Sequence, residues 1–378
     1  MNNILTLNSI SNVIDDIFTK DYKVASEIEN PIGIMLRSFS MHEYDLPTSV
    51  LAVARAGAGT NNIPVDDYAK KGVVVFNTPG ANANAVKELV ILGLLLGSRK
   101  VAPAMDWAKT LSGKGEEVGK LVEKGKSQFV GGEILGKTLG LIGLGAIGAM
   151  VANAAMALGM KVIGYDPFLS PANAEKLAGV KVLETLDEVY ANADYLSLHL
   201  PFTKDNKGMI NKEVIAKMKD GAVIVNCARG ELVDNDAIIE ATATGKIGRY
   251  VTDFPNDAVL CKENIVCIPH LGASTPEAED NCAVMAANQL IDYIENGNIL
   301  NSVNYPNCSA PRTNKVRYVV LAENSDALLA DVAKIAGSAN LTNKVKKAYA
   351  CILIDTDADG LEDSLKAVNG VTTVRVIK

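Results

Sequence analysis

Between Thr138 and Pro269 the chain carries seven short apolar runs in succession: TLGLIG, KVIGYD, KVLE, YLSLHL, AVIVNC, RYVTDF and NIVCIP. Each is strand-length, and helical patterns lie between them. Runs that are apolar throughout, rather than alternating, describe strands covered on both faces, and crossover helices provide that cover. The segment therefore predicts a doubly wound parallel sheet, whose strands all open their carboxyl ends on one edge. A shorter series near the start, ILTL, IGIML, VLAVA and VVVF, predicts a second parallel sheet of the same kind.

At 378 residues the chain is too long for one ordinary core, so two or three domains are expected. AVKELVILGLLLGSR (Ala85 to Arg99) reads as a strongly apolar helix, and the polar, glycine-rich residues 113 to 132 as an exposed connection. ASTPEAEDNCAVMAANQLIDYIENGN reads as one long helix, followed by a linker, NSVNYPNCSAPRTN. The last stretch, 315 to 378, reads strand, helix, strand, helix, strand, a small α+β unit of the split βαβ kind with no chemistry of its own.

A net charge of −7 argues against general nucleic-acid affinity, so a phosphate would need local cations. No apolar run is long enough to span a bilayer, and MNNILTLNSI lacks the features of a signal peptide. Six scattered cysteines without a CxxC pair read as reduced thiols of a cytoplasmic protein, with no metal site.

GLGAIG, residues 143 to 148, is a GxGxxG spacing, weak alone but here set between a strand and the start of a helix. Gly143 permits the tight turn, Gly145 lets backbone approach a pyrophosphate, and Gly148 lets helix and strand pack closely. The helix N-terminus, beginning Ala146-Ile147, offers unpaired N–H groups to the phosphates. Asp166, followed by Pro167, ends the next strand where an acid accepts from the adenosine ribose hydroxyls and repels a 2′-phosphate. This is the pattern of an NAD site.

Only three histidines exist, His42, His199 and His270. His42 has no surrounding motif. His270 ends the last strand of the series, where an imidazole can exchange a substrate hydroxyl proton during hydride transfer, or can simply pack. Arg229 lies just past another strand end; its planar fork suits a carboxylate, though it could also be a solvated turn residue.

With these residues placed, the sequence resembles the D-isomer-specific 2-hydroxyacid dehydrogenases over essentially its whole length. RAGAGTNNIPVDDYAKKGVVVFNTPGANANAVKELV is similar to their substrate-domain signature. GKTLGLIGLGAIG, LSLHLPFTKDNKGMIN and VIVNCARGELVDNDAI are similar to their cofactor-domain signatures, and PHLGASTPEAEDNCA to the catalytic-histidine signature. The likeness is greatest to members that interconvert 3-phosphoglycerate and 3-phosphohydroxypyruvate at the head of L-serine synthesis. It implies a flavodoxin-like substrate domain from 1–100 and 275–305, a Rossmann NAD domain over 101–274, a linker at 306–314, and a ferredoxin-like ACT-type domain over 315–378.

Carried over by position, the resemblance implies that Arg229 binds the substrate carboxylate and His270 is the acid/base. Asp253 would contact the nicotinamide amide, beside Cys227, Ala228 and Gly272. His199 and Pro201 would line the adenosine side. Arg55, with Ala56 and Gly57, would meet the substrate phosphate, and Asn82 the rest of the acid. Two departures stand out. The family places a glutamate beside the histidine, whereas TDFPNDAVL offers Asp257, one methylene shorter, as the candidate partner. In the tail, Asn324 and Asn340 fall where the family contacts serine, but Asp326 and Ala327 replace the usual Pro and Gly. An L-serine effector site and a purely dimer- or tetramer-forming tail both stay open. So do two other functions: reduction of hydroxypyruvate, glyoxylate or another small 2-keto acid, and non-catalytic NAD sensing.

Overall fold

The computed structural model describes residues 1–378 and divides into two units, 1–82 with 276–378, and 83–275. The first unit opens with β1 (Asn2–Leu7), β2 (Tyr22–Ala25), β3 (Gly33–Leu36), β4 (Ala52–Arg55) and β5 (Val74–Phe76). They form a parallel sheet in the order β2-β1-β3-β4-β5, the flavodoxin-like arrangement. β2 went unseen in the sequence because YKVA, with an exposed lysine, gives no apolar run. A 3-10 turn (Asn12–Asp16) lies between β1 and β2, one short α-helix, α1 (Val65–Lys70), lies between β4 and β5, and loops make the other connections.

The second unit begins with α2 (Ala83–Ser98), α3 (Val101–Lys109) and α4 (Val118–Gly125). Residues expected to be a plain connection thus contain helical turns, with Trp107 tilted against Phe129 at 5.3 Å between ring centroids. There follow β6 (Thr138–Ile142), α5 (Ala146–Ala157), β7 (Lys161–Tyr165), α6 (Pro171–Ala174), β8 (Lys181–Val182), α7 (Leu186–Asn192) and β9 (Tyr195–Leu198). The unit closes with α8 (Lys212–Lys217), β10 (Ala222–Asn226), α9 (Asn235–Thr244), β11 (Ile247–Thr252) and β12 (Ile265–Cys267). All seven strands are parallel, in the order β12-β11-β10-β9-β6-β7-β8. Connections therefore run outward in both directions from β6, so β6 and β9 flank a topological switch point.

Residues 83–100, expected with the first sheet, belong here instead. A Cβ on Gly93 would lie 2.8 Å from Val225 Cγ1, and one on Gly97 2.4 Å from Val223 Cγ1, so α2 packs on β10 at a distance only glycine allows. Arg249 of β11 then donates to the carbonyls of Leu96 and Arg99 at the end of this helix, both at 3.0 Å.

The chain returns to the first unit through α10 (Pro276–Asn296) and enters β13 (Val316–Glu323), α11 (Leu328–Ala336), β14 (Asn340–Lys346), β15 (Tyr349–Thr356), α12 (Glu362–Lys366) and β16 (Val371–Ile377). The four strands form an antiparallel sheet, β14-β15-β13-β16. β14 is a strand the sequence reading lacked: NLTNKVK is polar and half-exposed, and a hairpin at Lys347, φ 53°, joins it to β15. One face of this sheet, through Val319, Leu321 and Leu353, shares a core with Ala286, Leu290 and Tyr293 of α10. No helix is long and apolar enough to cross a membrane.

Candidate active site

The glycine loop follows β6 directly. Gly143 has φ 94°, and a Cβ there would stand 2.6 Å from the carbonyl oxygen of His199. A Cβ on Gly148 would stand 2.1 Å from the Gly143 oxygen, so the first turn of α5 closes on the loop only with glycine. Gly145 differs: nothing lies within 4 Å of its missing side chain, which leaves bare backbone facing open space. It is also the N-cap of α5 and offers no capping side chain, so the N–H groups of the first turn, from Ala146 and Ile147 on, stay available for an anion. Asp166, at the end of β7, accepts from the N–H groups of Leu144 and Phe168 at 2.9 and 2.8 Å and ties the loop to the second strand; Pro167 beside it is exposed.

His199 follows β9 with Nε2 3.1 Å from Ser197 Oγ. Burial pushes its pKa down to about 4, so the ring is neutral at ordinary pH. The exposed Pro201 accepts from Asn206 Nδ2 at 2.8 Å.

Three loops converge at the ends of β10, β11 and β12. Asn226, wholly buried, donates to the Arg229 carbonyl at 2.9 Å and accepts from the Ala228 N–H at 3.1 Å, which shapes the turn that presents Arg229. Arg229 is half-buried and donates to the Ala228 carbonyl at 2.6 Å. Asp253 is only 1% exposed. Burial pushes its carboxyl up to about 6, against the N–H groups of Asp253 itself and Gly272 and the charge of Arg229, which pull it down. Its Oδ1 is buried without a partner. Burial and the adjacent Asp253 also push the Cys227 thiol up, which keeps it un-ionised.

His270 is exposed, and its ring is tilted on Phe254 with centroids 4.6 Å apart. Asp257, expected as its partner, makes no hydrogen bond or ion pair with it. That carboxylate lies exposed in the turn after Phe254 and makes no hydrogen bond or ion pair. Phe254, two residues before Asn256 in TDFPND, is the residue whose ring meets the imidazole.

The first unit holds a second group of predicted residues. A Cβ on Gly57 would meet Arg55 Nη1 at 2.3 Å, so the guanidinium lies over glycine backbone, next to the buried Ala56. Arg55 Nε donates to the Arg37 carbonyl at 3.1 Å. Arg37 itself pairs with Glu279, and both arginines act on the buried Cys282. Arg37 was missed in the sequence, although its place just past the run IGIML, at a strand end, is the signal that marked Arg229. Thr78 lies against the Cys282 thiol, and Asn82 Oδ1 is buried without a hydrogen-bond partner. In the tail, Asn340 gives its amide to Thr313 Oγ1 at 2.9 Å and Asn314 Oδ1 at 3.4 Å, and Asn324 donates its N–H to Ala348.

Residues 95–272 match the family described as D-isomer specific 2-hydroxyacid dehydrogenase, NAD binding domain. The chain is 37% identical to D-3-phosphoglycerate dehydrogenase of Methanocaldococcus jannaschii over 72% of its own length and 51% of that protein. It is 43% identical to hydroxypyruvate reductase of Thermotoga maritima over 60% of this chain and 72% of the relative. The chain thus spans about half the length of the phosphoglycerate dehydrogenase from M. jannaschii. The NAD+-bound 3-phosphoglycerate dehydrogenase of Entamoeba histolytica superposes over 80% of this chain and 98% of that one, with a TM-score of 0.62 and 27% identity.

Proposed function

Because this chain belongs to the D-isomer-specific 2-hydroxyacid dehydrogenase family, we propose that it is an NAD-dependent D-3-phosphoglycerate dehydrogenase, interconverting 3-phosphoglycerate and 3-phosphohydroxypyruvate. The observation that carries this reading is the convergence of Arg229, Asp253 and His270 at the carboxyl ends of three adjacent strands, in the sheet that also bears the glycine loop. The residues present fit the cofactor. Open space at Gly145 admits a pyrophosphate, the uncapped α5 attracts its charge, Asp166 favours NAD over NADP, and the orphaned Asp253 Oδ1 can accept from a carboxamide. Cys227, Ala228 and Gly272 frame that end, and His199 and Pro201 the adenosine end.

Bound NAD+ supplies the hydride acceptor. Arg229 holds the substrate carboxylate in a two-pronged contact and so fixes the carbon that loses hydride. His270 takes the hydroxyl proton as the carbonyl forms and returns it in the reverse direction. Arg55 and Arg37, with Ala56 and Gly57, would receive the phosphate, and Asn82 the rest of the acid.

The test is NADH oxidation with 3-phosphohydroxypyruvate as substrate. Turnover of hydroxypyruvate or glyoxylate with none of the phosphorylated acid would defeat the assignment. That second reading is supported by the hydroxypyruvate reductase likeness, and R55Q separates the two. It should raise KM for the phosphorylated acid and leave KM for hydroxypyruvate unchanged.

The strand order of the tail supports an ACT-type module. Asn340 is already tied to the linker, and Asp326 and Ala327 stand at its first turn, so we assign the tail to assembly rather than to L-serine inhibition. L-serine should then leave the rate unchanged. Exposed Leu92, Leu95, Val101, Met105 and Val130 in the second unit support a homodimer or homotetramer. On the same family reading the enzyme would be cytoplasmic and serve serine biosynthesis. M105D should lower the mass in sedimentation.

A further inference from the structure

The outer face of α10 and the turn through Leu300 enclose a cleft of about 830 Å³ that involves no residue of the proposed reaction. Its lining is of two kinds. Val284, Met285, Ile291 and Leu300 are apolar, and the rest is mostly amide, with Asp292 the one carboxylate. Asn296 and Asn298 both donate to Asp292 Oδ1, at 2.9 and 3.0 Å, which leaves Oδ2 without a protein partner. Gln289, only 8% exposed, gives its Nε2 to the Asn77 carbonyl and leaves Oε1 buried and unpartnered. No lysine, arginine or histidine lines the cleft.

We propose that this cleft binds a small primary ammonium compound with an aliphatic body. A carboxylate oxygen with an unmet lone pair favours an N–H donor carrying positive charge, since charge-assisted hydrogen bonds are the stronger kind. The apolar wall takes the hydrocarbon and excludes water from the charge pair. The lack of any cation makes the site opposite in character to one for a phosphorylated acid, so it is not a second copy of the substrate site. The cleft also reaches the tail. Asn298, whose amide fixes Asp292, accepts through Oδ1 from Arg317 of β13 at 3.3 Å, and Arg317 is the buried cation of that sheet.

The test uses the full chain labelled with 13C at its methionine methyls, with Met285 assigned from M285L, and reads binding without any turnover. Butylammonium chloride should shift the Met285 signal saturably, and sodium butyrate at equal ionic strength should not. D292N should raise the apparent Kd about tenfold or more, as expected for loss of a charged hydrogen-bond acceptor. L300K, at a position 44% exposed, places a cation in the cleft and should abolish the shift even if D292N does not fold. Equal shifts with butyrate, no saturation with butylammonium, or an unchanged Kd in either variant would overturn the proposal.

Discussion

The seven-stranded sheet of the second unit and the four-stranded sheet of the tail show what strand direction does for a protein. In the parallel sheet every strand ends on the same edge, so Gly143, Arg229, Asp253 and His270, far apart in sequence, all follow strand ends on one side. In the antiparallel sheet neighbouring strands run opposite ways, so no edge gathers four loops. It carries instead a buried ion pair across its face. Arg317, with no exposed surface, meets Asp355 through two hydrogen bonds of 2.6 and 2.8 Å and reaches the carbonyls of Asn296 and Ala310. Asp355 is held below the usual carboxylate range by Arg317, which offsets its burial. One sheet gathers reactive groups, and the other fastens the tail to α10.

Four measurements test this contrast. The largest expected effect is at the parallel edge: H270N should lower kcat by about 10²–10⁴-fold, the usual worth of a positioned acid–base group, with the melting temperature unchanged. In the tail the reverse should hold. R317M leaves Asp355 buried without its counter-ion and should cost about 3–5 kcal/mol in urea denaturation, while NADH affinity stays as it was. If R317M instead abolished NADH binding with stability intact, the division of labour between the sheets would be wrong.

Asp253 gives the third, because it is a strained member of the reactive edge. Its folded-state pKa of about 6 lies above the ordinary carboxyl value, so folding favours the protonated form. Its cost to stability is absent at low pH, grows as pH rises from about 4 to about 6, and is constant above that. D253N should therefore stabilise the fold above pH 6 by about 2–3 kcal/mol and weaken NADH binding. A melting temperature that D253N leaves flat or lowers at pH 8 would remove Asp253 from the strained set. The smallest effect is expected at Asp257, exposed and unpaired. D257N should change kcat within about twofold, and a loss as large as that of H270N would restore it as the histidine's partner.

Much of this was legible because its causes are local. A fully apolar strand must be covered on both faces, a GxGxxG turn must have glycine where Cβ would strike a carbonyl, and strand ends must open on one edge. The seven strands, the glycine loop, Asp166, Arg229 and His270 could all be placed from such demands. What the sequence left open depends on neighbours distant along the chain. That α2 packs on β10 follows from Val223 and Val225 meeting Gly97 and Gly93. That the Phe254 ring meets the imidazole depends on a contact between two separate loops. The polar β14 forms because β15 offers it an open edge. The raised pKa of Asp253 reflects how completely other loops shut out water. Which backbones could form sheets and turns was settled by chemistry acting within a few residues. Which side chains meet, and which lose their water, depended on the folded chain, because desolvation and contact are set by residues hundreds of positions away.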